Sequence, residues 1–153
     1  MEITQRIATL DDATTLLTWR NHPRAREYSL HNEEIPSPEH LQWLKARLQR
    51  VHLEPFFLFE MDGKPIGMSR LDDLNISSNE FEISILVDPN EQGRGAGLKI
   101  LNITCDIFFE KYPNHKINAR VHKENLVSQK LFNRAGFALT PSVGSFLNFE
   151  KNL

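Results

Sequence analysis

The stretch VDPNEQGRGAGLKIL, residues 87–101, decides how the rest of the chain is read. Before it runs EFEISILV, an apolar strand-like segment closed by Asp88-Pro89. After it comes GLKILNITCDIFFEKY, an apolar-rich helix pattern stopped by Pro113. Three glycines, Gly93, Gly95 and Gly97, and two cations, Arg94 and Lys99, lie within it. Glycine lacks a Cβ, so the backbone can turn sharply and approach a ligand closely. A helix N-terminus exposes unpaired N–H groups and the positive end of the helix dipole. Strand, glycine-rich turn and helix in that order make a place where phosphate can bind. A glycine-rich turn that binds nothing is the plain alternative.

Two familiar phosphate loops do not fit. A Walker loop ends in Gly-Lys-Ser/Thr, and GAGLK lacks that ending. A dinucleotide fingerprint needs G-x-G-x-x-G early in a βαβ unit, with an acid about 20 residues on. Here the loop is late, the spacing is G-x-G-x-G, and the next strand does not end in an acid.

Working outward, a weak strand signal over residues 2–8 precedes a helix pattern carrying Ala13, Leu16, Leu17 and Trp19, with Thr9 or Asp11 to cap it. Pro23 breaks that helix and permits a fresh first turn. SPEHLQWLKARLQR predicts a helix with Ser37 at the cap and Pro38 in the first turn. PFFLFEMDGKPIGMSRLDDL predicts a hairpin about Asp62-Gly63, with a second turn over residues 75–79. KINARVH reads as a strand, NLVSQKLFNRAGF as a helix ended by Gly136, and FALTPSVGSFLNFEK as two last strands. Trp43, Phe56, Phe57 and Phe59 read as core. The pattern predicts one α/β domain over residues 1–153, with a mixed, mostly antiparallel sheet of about seven strands and about four helices.

Composition narrows the classes. With 153 residues, 40% hydrophobic and 25% charged, the chain can bury one core. A net charge of -2 gives no case for nucleic acid or a membrane surface as partner. No apolar run approaches the roughly 20 residues of a spanning helix, and the first residues carry acids rather than a signal-peptide core. The lone Cys105 fits a reducing cytoplasm and reads as a buried, inert thiol. His31, His52, His115 and His122 lack metal-site spacing and read as surface or capped residues, so no metal is expected.

Gln92, Gly95 and Gly97 match Q-x-x-G-x-G. Asn125, Ser128, Phe132 and Gly136-Phe137 match a second spacing: an Asn, a small residue, an aromatic, then Gly-Phe. Together with the element order, these resemble the GNAT N-acetyltransferases over essentially the whole chain. Trp19-Arg20-Asn21-His22-Pro23, Ile35 and Glu39-His40-Leu41 resemble the sugar-nucleotide N-acetyltransferases of pseudaminic acid biosynthesis, which acetylate the 4-amino group of a UDP-linked deoxy sugar.

The resemblance implies acetyl-CoA as cosubstrate. Backbone groups of Ile85, Leu86 and Val87 would meet pantetheine in a gap between the fourth and fifth strands. N–H groups of Gln92, Gly93, Arg94, Gly95, Ala96 and Gly97 would hold the diphosphate. Asn125, Ser128 and Phe132 would border the pantetheine arm, Asn125 serving equally as a helix cap. Glu82 aligns with an acid that serves as base or substrate contact; a solvated strand acid is its plain reading. Glu80 lies on the same strand face. A backbone N–H near Leu86 would hold the oxyanion. Phe132 stands where the family commonly has a Tyr that protonates the departing thiolate; Ser128 one turn earlier, or a water, is the candidate replacement donor, and packing as the motif's small residue is the plain reading of Ser128. Arg20, Asn21, His22, Tyr28 and His40 are the expected substrate contacts, with Arg24 beside them, and a charged helix end is the plain alternative.

The expected partner is a small-molecule amine on a nucleotide-linked amino sugar, and a homodimer is left open. Two other readings stand beside this one: a ribosomal-protein-type N-terminal acetyltransferase, and a CoA-binding module without catalysis. A basic pocket would suit the nucleotide diphosphate, an open acidic trough a peptide amine.

Overall fold

The computed structural model describes residues 2–75 and 79–153. β1 (Ile3–Ile7) leads through a 3-10 turn into α1 (Ala13–Asn21), α2 (Pro23–Glu27) and α3 (Ser37–Leu48). The meander β2 (Phe56–Met61), β3 (Lys64–Asn75) and β4 (Glu80–Val87) follows. Then come α4 (Ala96–Lys111), β5 (Lys116–His122), α5 (Leu126–Arg134), β6 (Ala138–Thr140) and β7 (Phe146–Asn152). The strands form one sheet in the order β1-β2-β3-β4-β5-β7-β6. Of its six pairings, β4 with β5 is parallel and the others are antiparallel. This is the mixed sheet of seven strands that the pattern predicts.

Local chemistry explains the elements. Asp62 and Gly63 take φ of 55° and 75°, the doubly left-handed turn that matches strand twist, and Met61 pairs with Lys64 across it. The first 3-10 turn is closed by Thr9 and Asp12, and Asp12 also takes two hydrogen bonds from Arg6 at 2.8 and 2.9 Å. Burial alone would push the Asp12 carboxyl up; Arg6 and the Thr9 N–H overcome it and hold it below its usual value.

Two details differ from the sequence reading. α3 begins at Ser37 itself, so Pro36 is the cap and Pro38 the second helical residue. Pro there costs nothing, because first-turn N–H groups lack intrahelical partners anyway. The turn restarted by Pro23 is a helix in its own right, which makes five α-helices among the described residues. The second expected turn falls mainly on residues 76–78, outside the described residues.

The sheet is covered on both faces. On one side α1 and α3 bury Leu16, Trp19 and Leu44 against Phe56, Leu58 and Met68. On the other, α4 and α5 bury Leu101, Phe108 and Phe132 against Leu71, Phe81, Ile117 and Phe149. Cys105 lies in this second core, where burial pushes its thiol up to about 12. It is inert, as its surroundings predict.

One irregularity of the sheet creates the site. The β4–β5 ladder covers residues 80–82 against 116–118 and no more. Beyond Glu82, β4 continues along β3 as far as Val87, with Leu86 opposite Met68. The sheet therefore opens between β4 and β5 where β4 approaches the glycine loop.

Candidate active site

The loop after β4 is built to present N–H groups. The Asp88 N–H donates to the Ile66 carbonyl at 2.8 Å, and the Asp88 carboxylate accepts from the Asn90 N–H at 2.9 Å. Glu91 is buried beneath the loop, facing Lys64 at 4.0 Å and Arg94 at 3.7 Å. Gly93 and Gly95 take φ of 82° and 80°, and Gly95 is the cap of α4. A Cβ on either would touch nothing within 4 Å, so conformation rather than space calls for glycine. Gly97 differs. It lies inside α4 with an ordinary helical φ, and a Cβ there would make ordinary contacts at 3.5 Å with the Leu131 side chain and 3.7 Å with Val87. Arg94 and Lys99 are both exposed at this helix start.

Ile85, Leu86 and Val87 occupy the opened stretch of β4. Across the gap, Asn125 caps α5 by accepting the Ser128 N–H at 3.2 Å. The Ser128 hydroxyl has no hydrogen-bond partner among the described residues. Phe132 is 6% exposed and packs edge-on to Phe137 and stacked on Phe149, with centroids 5.1 and 6.1 Å away.

A cavity of about 320 Å³ lies on the other face, under α1 and α3. Leu16, Phe56, Met68 and Leu86 give it apolar lining; Arg20, Arg70, His31, His40, Trp43 and Glu39 complete it. Leu86 belongs to both the cavity and the opened segment of β4, so the two features meet there. The Arg70 guanidinium lies 5.2 Å from the Trp43 ring centre. Arg20 donates through Nη2 to the His31 carbonyl at 2.8 Å, while its Nη1 is buried without a hydrogen-bond partner. Burial and the nearby Arg70 and Arg26 lower the Arg20 pKa from its ordinary value. Burial, and then Arg20, lower that of His40. A wider, open depression at Thr9, Leu10, Asp11, Lys45, Leu48 and Gln49 touches neither β4 nor the glycine loop.

The other expected contacts do not line this cavity. Asn21 is fully engaged: its amide donates to the Ile35 carbonyl and accepts from the Ile35 N–H, at 2.9 and 2.8 Å. It thereby fixes the chain leading into α3. His22 Nδ1 accepts the Arg24 N–H at 3.1 Å and caps α2. Arg24 reaches Gln92 of the glycine loop at 3.2 Å, joining the two halves of the site. Tyr28 lies 5.4 Å from the His122 ring, which in turn meets Phe146 at 5.3 Å. Glu82 is held in a two-point ion pair with Arg120, at 2.6 and 2.8 Å. Glu80 receives a hydrogen bond from Asn118 at 3.3 Å.

A sequence profile of the acetyltransferase (GNAT) domain matches residues 3–138, most of the chain. The chain belongs to the GNAT family. It is an acyltransferase, an acetyl-CoA-dependent N-acetyltransferase. Among characterised relatives, the acetyltransferase PseH of Campylobacter jejuni is 28% identical over 124 residues, covering 81% of this chain and 75% of that protein. The fold recurs in yncA, a putative acetyltransferase from Salmonella typhimurium solved with acetyl-CoA. That match has a TM-score of 0.82 and 21% identity, over 99% of this chain and 94% of that one. It recurs also in spermidine N-acetyltransferase from Vibrio cholerae, solved with CoA and spermine. There the TM-score is 0.84 and the identity 22%, over 97% of this chain and 94% of that one. Among the described residues of this GNAT enzyme, no cluster of three His, Cys, Asp or Glu side chains could hold a metal ion, and no helix is long and apolar enough to cross a membrane.

Four side chains of the site escape a reading by motif. Trp43 is 40% exposed and lines the cavity, not the core to which its helical spacing assigned it. His31 is another cavity residue, not merely a surface one. Arg70 shares a strand face with Met68, and that alternation was the available signal. Arg120 is the lone exposed residue in an otherwise half-buried or buried β5, and Glu82 is its partner.

Proposed function

We propose that this GNAT enzyme acetylates a primary amine on an anionic acceptor, the 4-amino group of a nucleotide-linked deoxy sugar. The observation behind this reading is the cavity that meets β4 at Leu86. Two guanidinium groups, Arg20 and Arg70, line it, and one buried Arg20 N–H is unpartnered. A buried N–H without an acceptor is costly, and a phosphate or carboxylate oxygen supplies what it lacks. Trp43 adds an aromatic surface. Among the lining residues the single carboxylate is Glu39.

That charge pattern disfavours a polycation such as the spermine bound by the Vibrio cholerae enzyme, because like charges would meet in a partly dry site. An N-terminal peptide amine would suit an acidic trough, which these residues do not form. The resemblance of the N-terminal half to sugar-nucleotide acetyltransferases supports the same acceptor, as does the likeness to PseH.

The donor side fits acetyl-CoA. Free N–H groups at the start of α4, with Arg94 and Lys99 beside them, suit a diphosphate. Residues 85–87, freed from β5, offer backbone groups to the pantetheine amides, and an N–H near Leu86 suits the oxyanion. Asn125 and Ser128 face the arm from the start of α5. Phe132 has no proton to give, so the Ser128 hydroxyl or a water serves the departing thiolate. A CoA thiol is acidic enough for that to suffice.

The test is free-thiol release from acetyl-CoA with three acceptors at equal concentration: a UDP-linked 4-amino-4,6-dideoxy sugar, spermidine and short peptides. The nucleotide sugar should give the highest kcat/KM. Spermidine or peptides outpacing it would refute the acceptor assignment.

A further inference from the structure

We infer that His40 is the base that takes the proton from the acceptor amine, in place of the strand carboxylate Glu82. The inference builds on the acceptor reading above, in which the amine reaches the thioester from the cavity at Leu86. An amine attacks only when neutral, so a group in reach must accept its proton.

Glu82 is poorly suited. Both carboxylate oxygens are engaged by Arg120, at 2.6 and 2.8 Å, and the residue does not line the cavity. Two charge-assisted hydrogen bonds already occupy the carboxylate and must be broken or shared before it can accept from an amine.

His40 has what Glu82 lacks. It lies in the first turns of α3, 4% exposed, and lines the cavity with Leu86. Its ring meets Trp43 at 5.6 Å, and neither imidazole nitrogen has a hydrogen-bond partner among the described residues. Neither nitrogen is among the side-chain atoms sealed from solvent without a partner, so both are open to take a proton from an amine in the cavity. The groups around it are Arg20 from α1, Arg70 from β3, His31 from the chain before α3, and the neighbouring Glu39, which is exposed. Burial and Arg20 keep the imidazole neutral near pH 7, so it stands ready to accept. The same positive surroundings then press the imidazolium to release the proton, and they lower the proton affinity of the acceptor ammonium as well.

The step balances. The ammonium gives one proton to an imidazole nitrogen. The freed lone pair forms the N–C bond to the thioester carbonyl carbon. The C–S bond breaks and its electron pair goes to sulfur. The second amine proton ends on the thiolate, directly or through a water or the Ser128 hydroxyl, and the imidazolium returns its proton to solvent. The sum is amide, thiol and one proton from ammonium and thioester.

The experiment measures kcat against pH from 5 to 9 by thiol release, with the UDP-linked 4-amino-4,6-dideoxy sugar and saturating acetyl-CoA. Wild type should lose rate on acidification, with a midpoint below about 6.5. His40→Gln should lower kcat by about 100-fold or more and abolish that acid limb, with the KM for acetyl-CoA and the Tm retained. Glu82→Gln should keep the limb. A His40→Gln enzyme within threefold of wild type, or with its limb intact, overturns the inference, as does loss of the limb in Glu82→Gln. If the nucleotide sugar is inert and another amine turns over, the acceptor reading fails alone, and the same criteria apply to His40 with that amine. Independently of any acceptor, NMR titration of the protein with CoA should show the His40 imidazole titrating below about 6.5. Titration above that value overturns the assignment.

Discussion

Arg47 gives the sharpest test of how the cavity wall is held. It lies in α3, 1% exposed, and ties that helix to the sheet. Its Nε donates to Asp72 at 2.8 Å, Nη1 to the Glu54 carbonyl at 2.6 Å, and Nη2 to the Leu71 and Pro55 carbonyls at 3.0 and 3.3 Å. Its guanidinium also lies 5.6 Å from the Phe56 ring centre. Arg47→Met keeps the apolar stem and removes every donor. Asp72 retains Arg70, so no carboxylate is stranded. Three carbonyls lose a donor at about 1 kcal/mol each, and the charged bond to Asp72 adds about 1.5–3 kcal/mol. Relief from burying a cation offsets part of this. The expected net loss is about 3–5 kcal/mol, the range for breaking a buried ion pair. In a chain of this size that lowers Tm by about 6–20 °C. Differential scanning calorimetry at pH 7 measures it, and Arg47→Lys should fall in between, because one ammonium cannot span four acceptors. A methionine variant melting within about 2 °C of wild type would refute the claim that this network anchors α3.

Three further outcomes follow from the site and its supports. Arg20→Met should raise the KM for the nucleotide sugar by about 10- to 150-fold, the equivalent of a charge-assisted hydrogen bond, while the KM for acetyl-CoA holds; equal losses with a neutral amine would point to general damage. Gly95→Ala puts a Cβ at a φ of 80°, so it should cost about 1–2 kcal/mol and weaken CoA binding measured by calorimetry, whereas unchanged affinity and Tm would deny the loop its role. Asp12→Asn should cost about 1–3 kcal/mol at pH 7. Because the folded carboxyl is held below 3.8, that stability is present above pH 3.8 and lost as pH falls through the folded value, so the variant and wild type should converge in acid melts.

Local chemistry made much of the fold legible. Asp62-Gly63 can close a two-residue hairpin because both positions tolerate positive φ, and the strands on either side alternate accordingly. Gly136 ends α5 at a φ of 88° for the same reason. Trp43 was harder, because helical spacing tells which residues share a face, not whether that face meets a core or a cavity. The helix begun at Pro23 is five residues long, too short for periodicity to reveal.

For the site, the chain order by itself determined the strand, glycine loop and helix whose N–H groups we propose hold a diphosphate. Every part of that device lies within about 20 consecutive residues, so backbone preference and helix polarity suffice to define it. Sequence named Arg20 and His40 but not Arg70, and the cavity they line was decided by tertiary structure. Arg20, His40 and Arg70 come from α1, α3 and β3, and only packing of two helices against the sheet brings them around one cavity. The same packing pairs Glu82 with Arg120, 38 residues apart, and leaves His40 beside Trp43 without a hydrogen-bond partner among the described residues. Burial and charge set the proton affinity of a side chain, and both depend on neighbours that sequence spacing does not reveal.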